Sequence, residues 1–125
     1  ADVNNVISLK YLIPISAWDM DLAPMEGLTF RPGKEDESFI FNPSGQILDI
    51  KDLITGFATD GSREIPIITP VKDSQRTKTH EGTKNVAFAI YYPAAWTNSP
   101  DIESIVADTC LLLKEFCSRV TYTIV

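Results

Sequence analysis

The residues whose side chains could take part in catalysis lie close together between positions 72 and 84. His80 is the only histidine of the 125-residue chain, and Asp73 and Ser74 precede it in the same polar segment. A histidine that acts as a general base needs a nucleophile within hydrogen-bond reach and a carboxylate that orients its ring. Because closeness in one polar loop does not arrange three side chains in this way, we expect His80 to be a solvated loop residue. An enzyme that uses His80 is therefore the least favoured of the three functions considered for this chain.

Other patterns of catalytic or metal-binding residues are missing from the sequence. It has no phosphate-binding glycine loop, no nucleophile elbow and no paired Cys or His spacing for a metal. Cys110 and Cys117 are seven positions apart in a predicted helix. Their separation of about 10 Å along the helix axis is too long for a disulfide. We therefore expect two free thiols, which suit a reducing cytosol. Because the other patterns are missing, we also expect a protein without enzymatic activity, metal or cofactor.

The segment around His80 also carries a local excess of positive charge. Its charged residues, in chain order, are Lys72, Asp73, Arg76, Lys78, Glu81 and Lys84. Four basic residues against two acidic ones give +2, inside a chain whose net charge is −6. Composition alone favours a solvated loop that lysines keep soluble. The alternative is a basic β-hairpin that presents its cations and threonine hydroxyls to nucleic acid.

Composition and length indicate one globular domain over residues 1–125. Apolar residues make up 44% of the chain and charged residues 22%, which argues against disorder. No apolar run approaches the roughly 20 residues needed to cross a bilayer, so we expect no membrane contact. The initial alanine fits a cytosolic protein whose Met was removed, although a cleaved signal peptide would also leave one.

The elements that must position these side chains are predicted to be mostly β-strands. Strands are predicted over 6–15, 63–71, 85–93 and 120–125, and a hairpin is predicted from 28–30 and 38–41. Residues 46–57 fit a short amphipathic helix or a strand, and the neighbouring strands slightly favour a strand. In 85–93, Val86, Phe88, Ile90 and Tyr92 alternate with Asn85, Ala87, Ala89 and Tyr91. The first face is suited to packing, and the second carries small or hydrogen-bonding groups.

One substantial helix is predicted near the end of the chain. Ser99 suits the N-cap, Pro100 the first helical position, and the acids Asp101 and Glu103 the positive end of the helix dipole. Its apolar stripe consists of Ile102, Ile105, Val106, Thr109, Leu113 and Phe116. The predicted fold is therefore α+β, an antiparallel sheet with an N-terminal hairpin and one main C-terminal helix.

The last third of the chain resembles the coat proteins of single-stranded RNA bacteriophages, the leviviruses. In that family the last strand crosses into the main helix through a segment T-N-S-D-x-E-x-I-V, followed by L-L-K. The matching residues are Thr97, Asn98, Ser99, Asp101, Glu103, Ile105, Val106, Leu111 (or Leu112) and Lys114, with Pro100 as an extra residue. Asn85 is similar to an asparagine that begins the RNA-facing strand of some members.

The resemblance implies a viral capsid protein that forms homodimers and then a shell around single-stranded RNA in the host cytoplasm. In such coats each helix lies across the partner's sheet. The implied dimer interface consists of Val86, Phe88, Ile90, Ile102, Ile105, Val106, Leu113 and Phe116. The residues expected to contact RNA are Arg76, Lys78, Asn85, Ala87 and Tyr91.

A second hypothesis comes from the acidic character of the chain. An immunity protein or inhibitor could cover a basic toxin with carboxylates. The acidic residues that would do so are Asp19, Asp21, Glu26, Glu35, Asp36 and Glu37.

Overall fold

The computed structural model describes residues 2–23, 26–96 and 101–124. The described residues form two compact units, the first drawn from Ala1–Ile15 and Tyr91–Val125 and the second from Ser16–Ile90. Helices and antiparallel strands are both present, which confirms the α+β class. Neither of the two α-helices in these residues is long and apolar enough to cross a bilayer.

The first unit contains helices α1 (Asp2–Tyr11) and α2 (Ile102–Lys114). The carboxylate of Asp108 on α2 joins the two helices. It accepts hydrogen bonds from the ammonium of Lys10 at 2.5 Å and from the hydroxyl of Tyr11. These two donors, Lys10 first, hold the pKa of Asp108 below its ordinary value.

The strand predicted over 6–15 is wrong, because most of it is helix α1. The helix ends in a Schellman arrangement, in which the amide of Ile13 donates to the carbonyl of Ser8 at 3.2 Å. Leu12 takes the left-handed position that glycine usually fills, with φ 53°. Pro14 then prevents the helix from continuing. The β-branched residues misled the prediction, since α1 depends on tertiary contacts such as that between Asn4 Nδ2 and the carbonyl of Ile15 at 3.2 Å.

We predict that Leu12→Gly stabilises the protein by about 1 kcal/mol, because glycine has no Cβ to strain the left-handed conformation. The Leu12 side chain is 81% exposed, so its loss removes little packing. Leu9→Gly is the matched control, since Leu9 is 75% exposed within α1 and should lose about 1 kcal/mol. Urea unfolding measures both changes, and equal destabilisation by the two variants would contradict the prediction.

Helix α2 begins later than predicted. Its N-cap is Asp101, whose carboxylate accepts from the amide of Glu103 at 3.3 Å. The predicted cap Ser99 lies outside the described residues. The strand predicted at 120–125 is also wrong, because residues 121–124 have no strand conformation.

Seven strands and one 3-10 helix follow α1 within the described part of the chain. The strands are β1 (Ile15–Asp19), β2 (Gly27–Pro32), β3 (Ser38–Ile40), β4 (Ile47–Asp49), β5 (Ile54–Asp60), β6 (Arg63–Ile68) and β7 (Val86–Ile90). They form a central sheet β2-β5-β6 and two pairs, β1-β7 and β3-β4. The strands expected at 63–71 and 85–93 are thus confirmed, with shorter bounds.

The strands of the predicted N-terminal hairpin exist, but the structure pairs them differently. β2 pairs with β5 from Gly27↔Thr59 to Pro32↔Ile54, and β3 pairs with β4. The ambiguous segment 46–57 is extended, as preferred, but a turn at Asp52 with φ 62° divides it into β4 and the start of β5. The β2–β5 pairing brings together residues distant in sequence, which local patterns do not specify.

The described residues of the second unit include two buried apolar clusters. The larger consists of Trp18, Ala23, Ala58, Ile67 and Ile68, and the smaller of Phe39, Ile50 and Phe57. Ala87 and Ala89 of β7 pack against the larger cluster. The face predicted to carry small or hydrogen-bonding groups therefore packs within the chain at these two positions, because small side chains let the strand approach the bulky cluster.

Arg31 of β2 joins three elements of the second unit. Its guanidinium donates to both carboxylate oxygens of Glu37 at 2.8 and 2.9 Å and to Glu64 at 2.8 Å. The same group stacks on Phe57, with 3.7 Å between Cζ and the ring centroid. Arg31 first, and then the amide of Lys34, lower the pKa of Glu37 from 4.5 to about 2.

We predict that Glu37→Gln removes part of the acid-sensitive stability of the second unit. A depressed carboxyl pKa contributes stability above the unfolded value of 4.5, and this is lost as the pH falls toward about 2. The free energy of unfolding of the variant should therefore change less than that of the wild type between these pH values. Denaturant unfolding at several pH values tests this, and parallel curves would contradict it.

Candidate functional site

The polar segment 72–84 is an ordered loop that leads from β6 toward β7. Thr69 fixes its start, because its amide and hydroxyl both donate to the carbonyl of Lys72 at 2.9 Å. The amide of Ser74 then donates to the carbonyl of Ile67 at 2.7 Å. The Ser74 hydroxyl caps a short 3-10 helix, Gln75–Thr77, by accepting from the amide of Arg76 at 3.3 Å.

The charged residues of this loop differ in how far they are buried. Lys72, Arg76 and Lys84 are exposed, and Glu81 is the exposed acid of the segment. The other acid, Asp73, is half-buried, and its Oδ1 is buried without a partner among the described residues. Burial raises the pKa of Asp73, although hydrogen bonds from Ser16 and Ala17 oppose the rise. The exposed part of the loop therefore carries three cations against one acid.

Two lysines of the loop contact Phe41. The ammonium of Lys78 donates to the carbonyl of Phe41 at 3.0 Å. The Lys72 ammonium lies 5.0 Å from the centroid of the Phe41 ring, within the range of a cation–π contact. Arg76 and Lys84, by contrast, form no side-chain hydrogen bond or ion pair with the described residues. These two cations are the ones most available to a ligand.

His80 contacts the buried end of β1 rather than a nucleophile. Its Nε2 lies 3.3 Å from Oδ2 of Asp19, and its Nδ1 accepts from the amide of Gly82 at 3.1 Å. The same Asp19 oxygen accepts from the Thr83 hydroxyl at 2.6 Å. Thr83 first, and also the amide of Asp21, hold the pKa of Asp19 below its ordinary value. Both ring nitrogens are engaged, so the arrangement lacks a free general base.

The predicted RNA-contacting residues have different surroundings. Arg76 is exposed, and Lys78 is half-buried against Phe41. The side-chain amide of Asn85 donates to the carboxylate of Asp21 at 3.1 and 3.2 Å. Ala87 packs against the larger cluster. Tyr91 belongs to the first unit, where its amide donates to the carbonyl of Pro14 at 3.1 Å.

The residues predicted to form a dimer interface are also divided between the units. Val86, Phe88 and Ile90 are half-buried on β7. On α2, Ile105 is fully buried within the chain, which leaves no surface of its side chain for a partner. Val106 and Leu113 are half-buried, while Ile102 and Phe116 are exposed. Contact of these residues with a second subunit stays a prediction.

The acidic residues proposed to cover a basic toxin do not form one free surface. Asp19 is buried, and Glu37 is held by Arg31. Glu35 accepts from Lys51 at 3.1 Å, and Glu26 accepts from the amide of Gly61 at 2.9 Å. Most of this set therefore has partners within the chain, which weakens the hypothesis of an inhibitor.

The two cysteines are the remaining candidate groups that the sequence analysis named. Cys110 and Cys117 are free thiols, and Cys117 is exposed rather than packed in a core. Within 2–23, 26–96 and 101–124, no group of three or more His, Cys, Asp or Glu residues could hold a metal ion. Sequence reasoning missed the role of Asp19. The available signal was an acid that directly follows the apolar residues Ala17 and Trp18.

Comparison with known proteins identifies the class of this α+β domain. The family model of the B3/4 domain matches residues 1–101, so the chain belongs to the B3/4 domain family. That family is named after the B3/B4 domain of the phenylalanyl-tRNA synthetase beta subunit. Neither a search of curated proteins nor a search of solved structures gave a match.

The membership in this family overturns the resemblance to bacteriophage coat proteins. The B3/4 domain is not a phage coat family, and it is found in tRNA-synthetase-like proteins. The predicted function as a viral capsid subunit is therefore wrong. The similarity between residues 97 and 114 was a short helix-start pattern, which unrelated helices share because they use the same capping residues.

Proposed function

We propose that this B3/4 domain is a tRNA-binding module that contacts the phosphate backbone through the loop 72–84. Two findings support the proposal. One is the family, whose namesake occurs in a tRNA synthetase subunit. The other is the separation of charge in the loop, where Asp73 is turned inward while Lys72, Arg76 and Lys84 are exposed.

The separation of charge is the observation that carries the proposal. A chain of net charge −6 repels nucleic acid unless its cations are gathered in one place. Arg76 and Lys84 have no protein partner among the described residues, so binding to phosphate breaks no ion pair. Arginine also offers a planar fork of donors that fits phosphate oxygens.

We propose further that the module binds RNA without transforming it. A base at this loop would have to be His80, but Nδ1 accepts from Gly82 and Nε2 faces Asp19. In the neutral ring this arrangement places the proton on Nε2, so the ring keeps no free lone pair for a substrate. The Thr83 hydroxyl donates to Asp19, a weak base because its pKa is lowered.

Fluorescence anisotropy with labelled tRNA tests the proposal. We expect binding that weakens as the salt concentration rises, because each phosphate contact releases condensed counterions. The logarithm of the association constant should fall linearly with the logarithm of salt, with a slope of roughly −2 to −3 for two or three phosphate contacts. No binding at low salt, or binding without salt dependence, would overturn the proposal.

A further inference from the structure

We infer that Asp19 is a positioning residue for the loop that we propose to contact tRNA. Its buried carboxylate holds residues 80–85 in one arrangement, from which Lys84 and the neighbouring cations are presented to the ligand. The inference rests on the proposed function, but it also predicts how the free protein behaves.

Asp19 gathers donors from two segments of the second unit. Its side chain is 3% exposed. Oδ2 accepts from the Thr83 hydroxyl at 2.6 Å and faces Nε2 of His80 at 3.3 Å, while Oδ1 accepts from the amide of Asp21 at 2.8 Å. The loop therefore supplies one hydrogen bond, from Thr83, and places the His80 ring beside this buried carboxylate.

The loop groups that meet Asp19 are also bonded to one another. The amide of His80 donates to Oγ1 of Thr83 at 2.9 Å, and the amide of Thr83 returns to the carbonyl of His80 at 3.0 Å. The amide of Gly82 donates to Nδ1 of His80 at 3.1 Å. The turn is therefore one hydrogen-bonded unit, and Asp19 is its acceptor on β1.

A second pair of contacts joins the same two segments. The amide of Met20 donates to the carbonyl of Asn85 at 2.9 Å, and the Asn85 side chain donates to both carboxylate oxygens of Asp21. Residues 80–85 are thus held at both ends against the turn that follows β1. Lys84 lies between these two attachments.

The energetic reason for a positioning role is the cost of a buried carboxylate. A buried charge is tolerated only while its hydrogen-bond partners are in place, so release of the turn would leave Asp19 unsatisfied. The loop is therefore held in one conformation before a ligand arrives. A loop that reaches its binding conformation only part of the time binds more weakly in proportion to that fraction.

The test compares Asp19→Asn with a matched control, Asp49→Asn. Both carboxylates accept from the amide two residues further on, at 2.8 Å in Asp19 and 2.9 Å in Asp49, but Asp49 forms no hydrogen bond or ion pair with the described residues of the loop. Asparagine offers one acceptor oxygen, so it cannot accept from Asp21 and from Thr83 on separate oxygens. We expect Asp19→Asn to bind tRNA about tenfold more weakly, as for a loop competent about a tenth of the time.

The salt dependence and the amide exchange separate positioning from other roles. The bound loop of Asp19→Asn makes the same phosphate contacts, so the salt slope should stay at the wild-type value. Hydrogen exchange of the Gly82 and Thr83 amides should become faster in the free protein, while β5 amides keep their protection. Asp49→Asn should leave affinity, slope and exchange unchanged.

Several outcomes would overturn the inference. Unchanged affinity and unchanged exchange in Asp19→Asn would do so, as would a changed salt slope. If Asp19→Asn fails to fold by circular dichroism, Thr83→Val decides, because it removes one loop donor and keeps the carboxylate. If the wild-type protein does not bind tRNA, the proposed function fails, and the exchange of the Gly82 and Thr83 amides alone decides whether Asp19 orders the loop.

Discussion

Gly33→Ala should destabilise the second unit by roughly 3–5 kcal/mol, or prevent it from folding, since forced backbone movement is among the largest single-residue effects. A Cβ at this position would lie 2.0 Å from the carbonyl oxygen of Ile50, which is a backbone atom. The two segments are locked together, because Gly33 donates to the carbonyl of Leu53 at 2.9 Å and accepts from the amide of Asp52 at 3.0 Å. Neither backbone can withdraw without breaking these bonds.

Gly45→Ala is the control for this prediction. Gly45 has φ 80°, but a Cβ there would meet no atom within 4 Å. We expect a cost of about 1 kcal/mol from the left-handed conformation alone. Urea unfolding of both variants gives the comparison. Equal costs would show that the close approach of Gly33 to Ile50 is not rigid.

The second large effect concerns tRNA affinity. Arg76→Ala combined with Lys84→Ala should weaken binding by on the order of tenfold at low salt and make the salt slope shallower by about 1.5–2. Both cations are exposed, and neither has a protein partner among the described residues. Their loss should therefore leave the unfolding transition nearly unchanged, since exposed substitutions usually shift stability by less than about 0.5 kcal/mol.

A second double variant separates local contacts from net charge. Lys34→Ala with Arg63→Ala removes the same two residue types from exposed positions outside the loop. It lowers the net charge of the protein by the same amount, so a general electrostatic effect would weaken binding equally in both variants. We expect the control to keep most of the affinity and the slope. Equal losses in the two variants would remove the loop from the proposal.

Part of the fold could be predicted from the sequence because some elements have a residue pattern that is recognisable within the segment itself. Alternating apolar residues identified β7. The apolar stripe of α2, together with the acids at the start of that helix, identified α2. Helix α1 was missed because its β-branched residues favour a strand in isolation, and only contacts such as Asn4 to Ile15 select the helix. The partners of β2 and β3 depend on long-range pairing, which local residue patterns do not encode.

Of the features of the candidate site, only its positive charge could be predicted from the sequence. The basic character of 72–84 was evident in the sequence, whereas the exposure of Arg76 is seen only in the structure. The sequence gives no sign that Lys78 binds the carbonyl of Phe41 or that Asp19 lies beneath the loop, because both contacts join segments far apart in the chain. Asp19 was instead counted among the surface acids, although its side chain is buried.

The most direct test of the account is to map the tRNA contact by nuclear magnetic resonance. Amide chemical shifts of the 15N-labelled domain would be followed as unlabelled tRNA is added at low salt. We predict that the largest changes occur in residues 72–84 and at the side-chain signals of Arg76, with smaller changes at residues 19–22. Changes confined to α1 and α2, or no changes at all, would contradict the claim that this loop is the tRNA-binding surface.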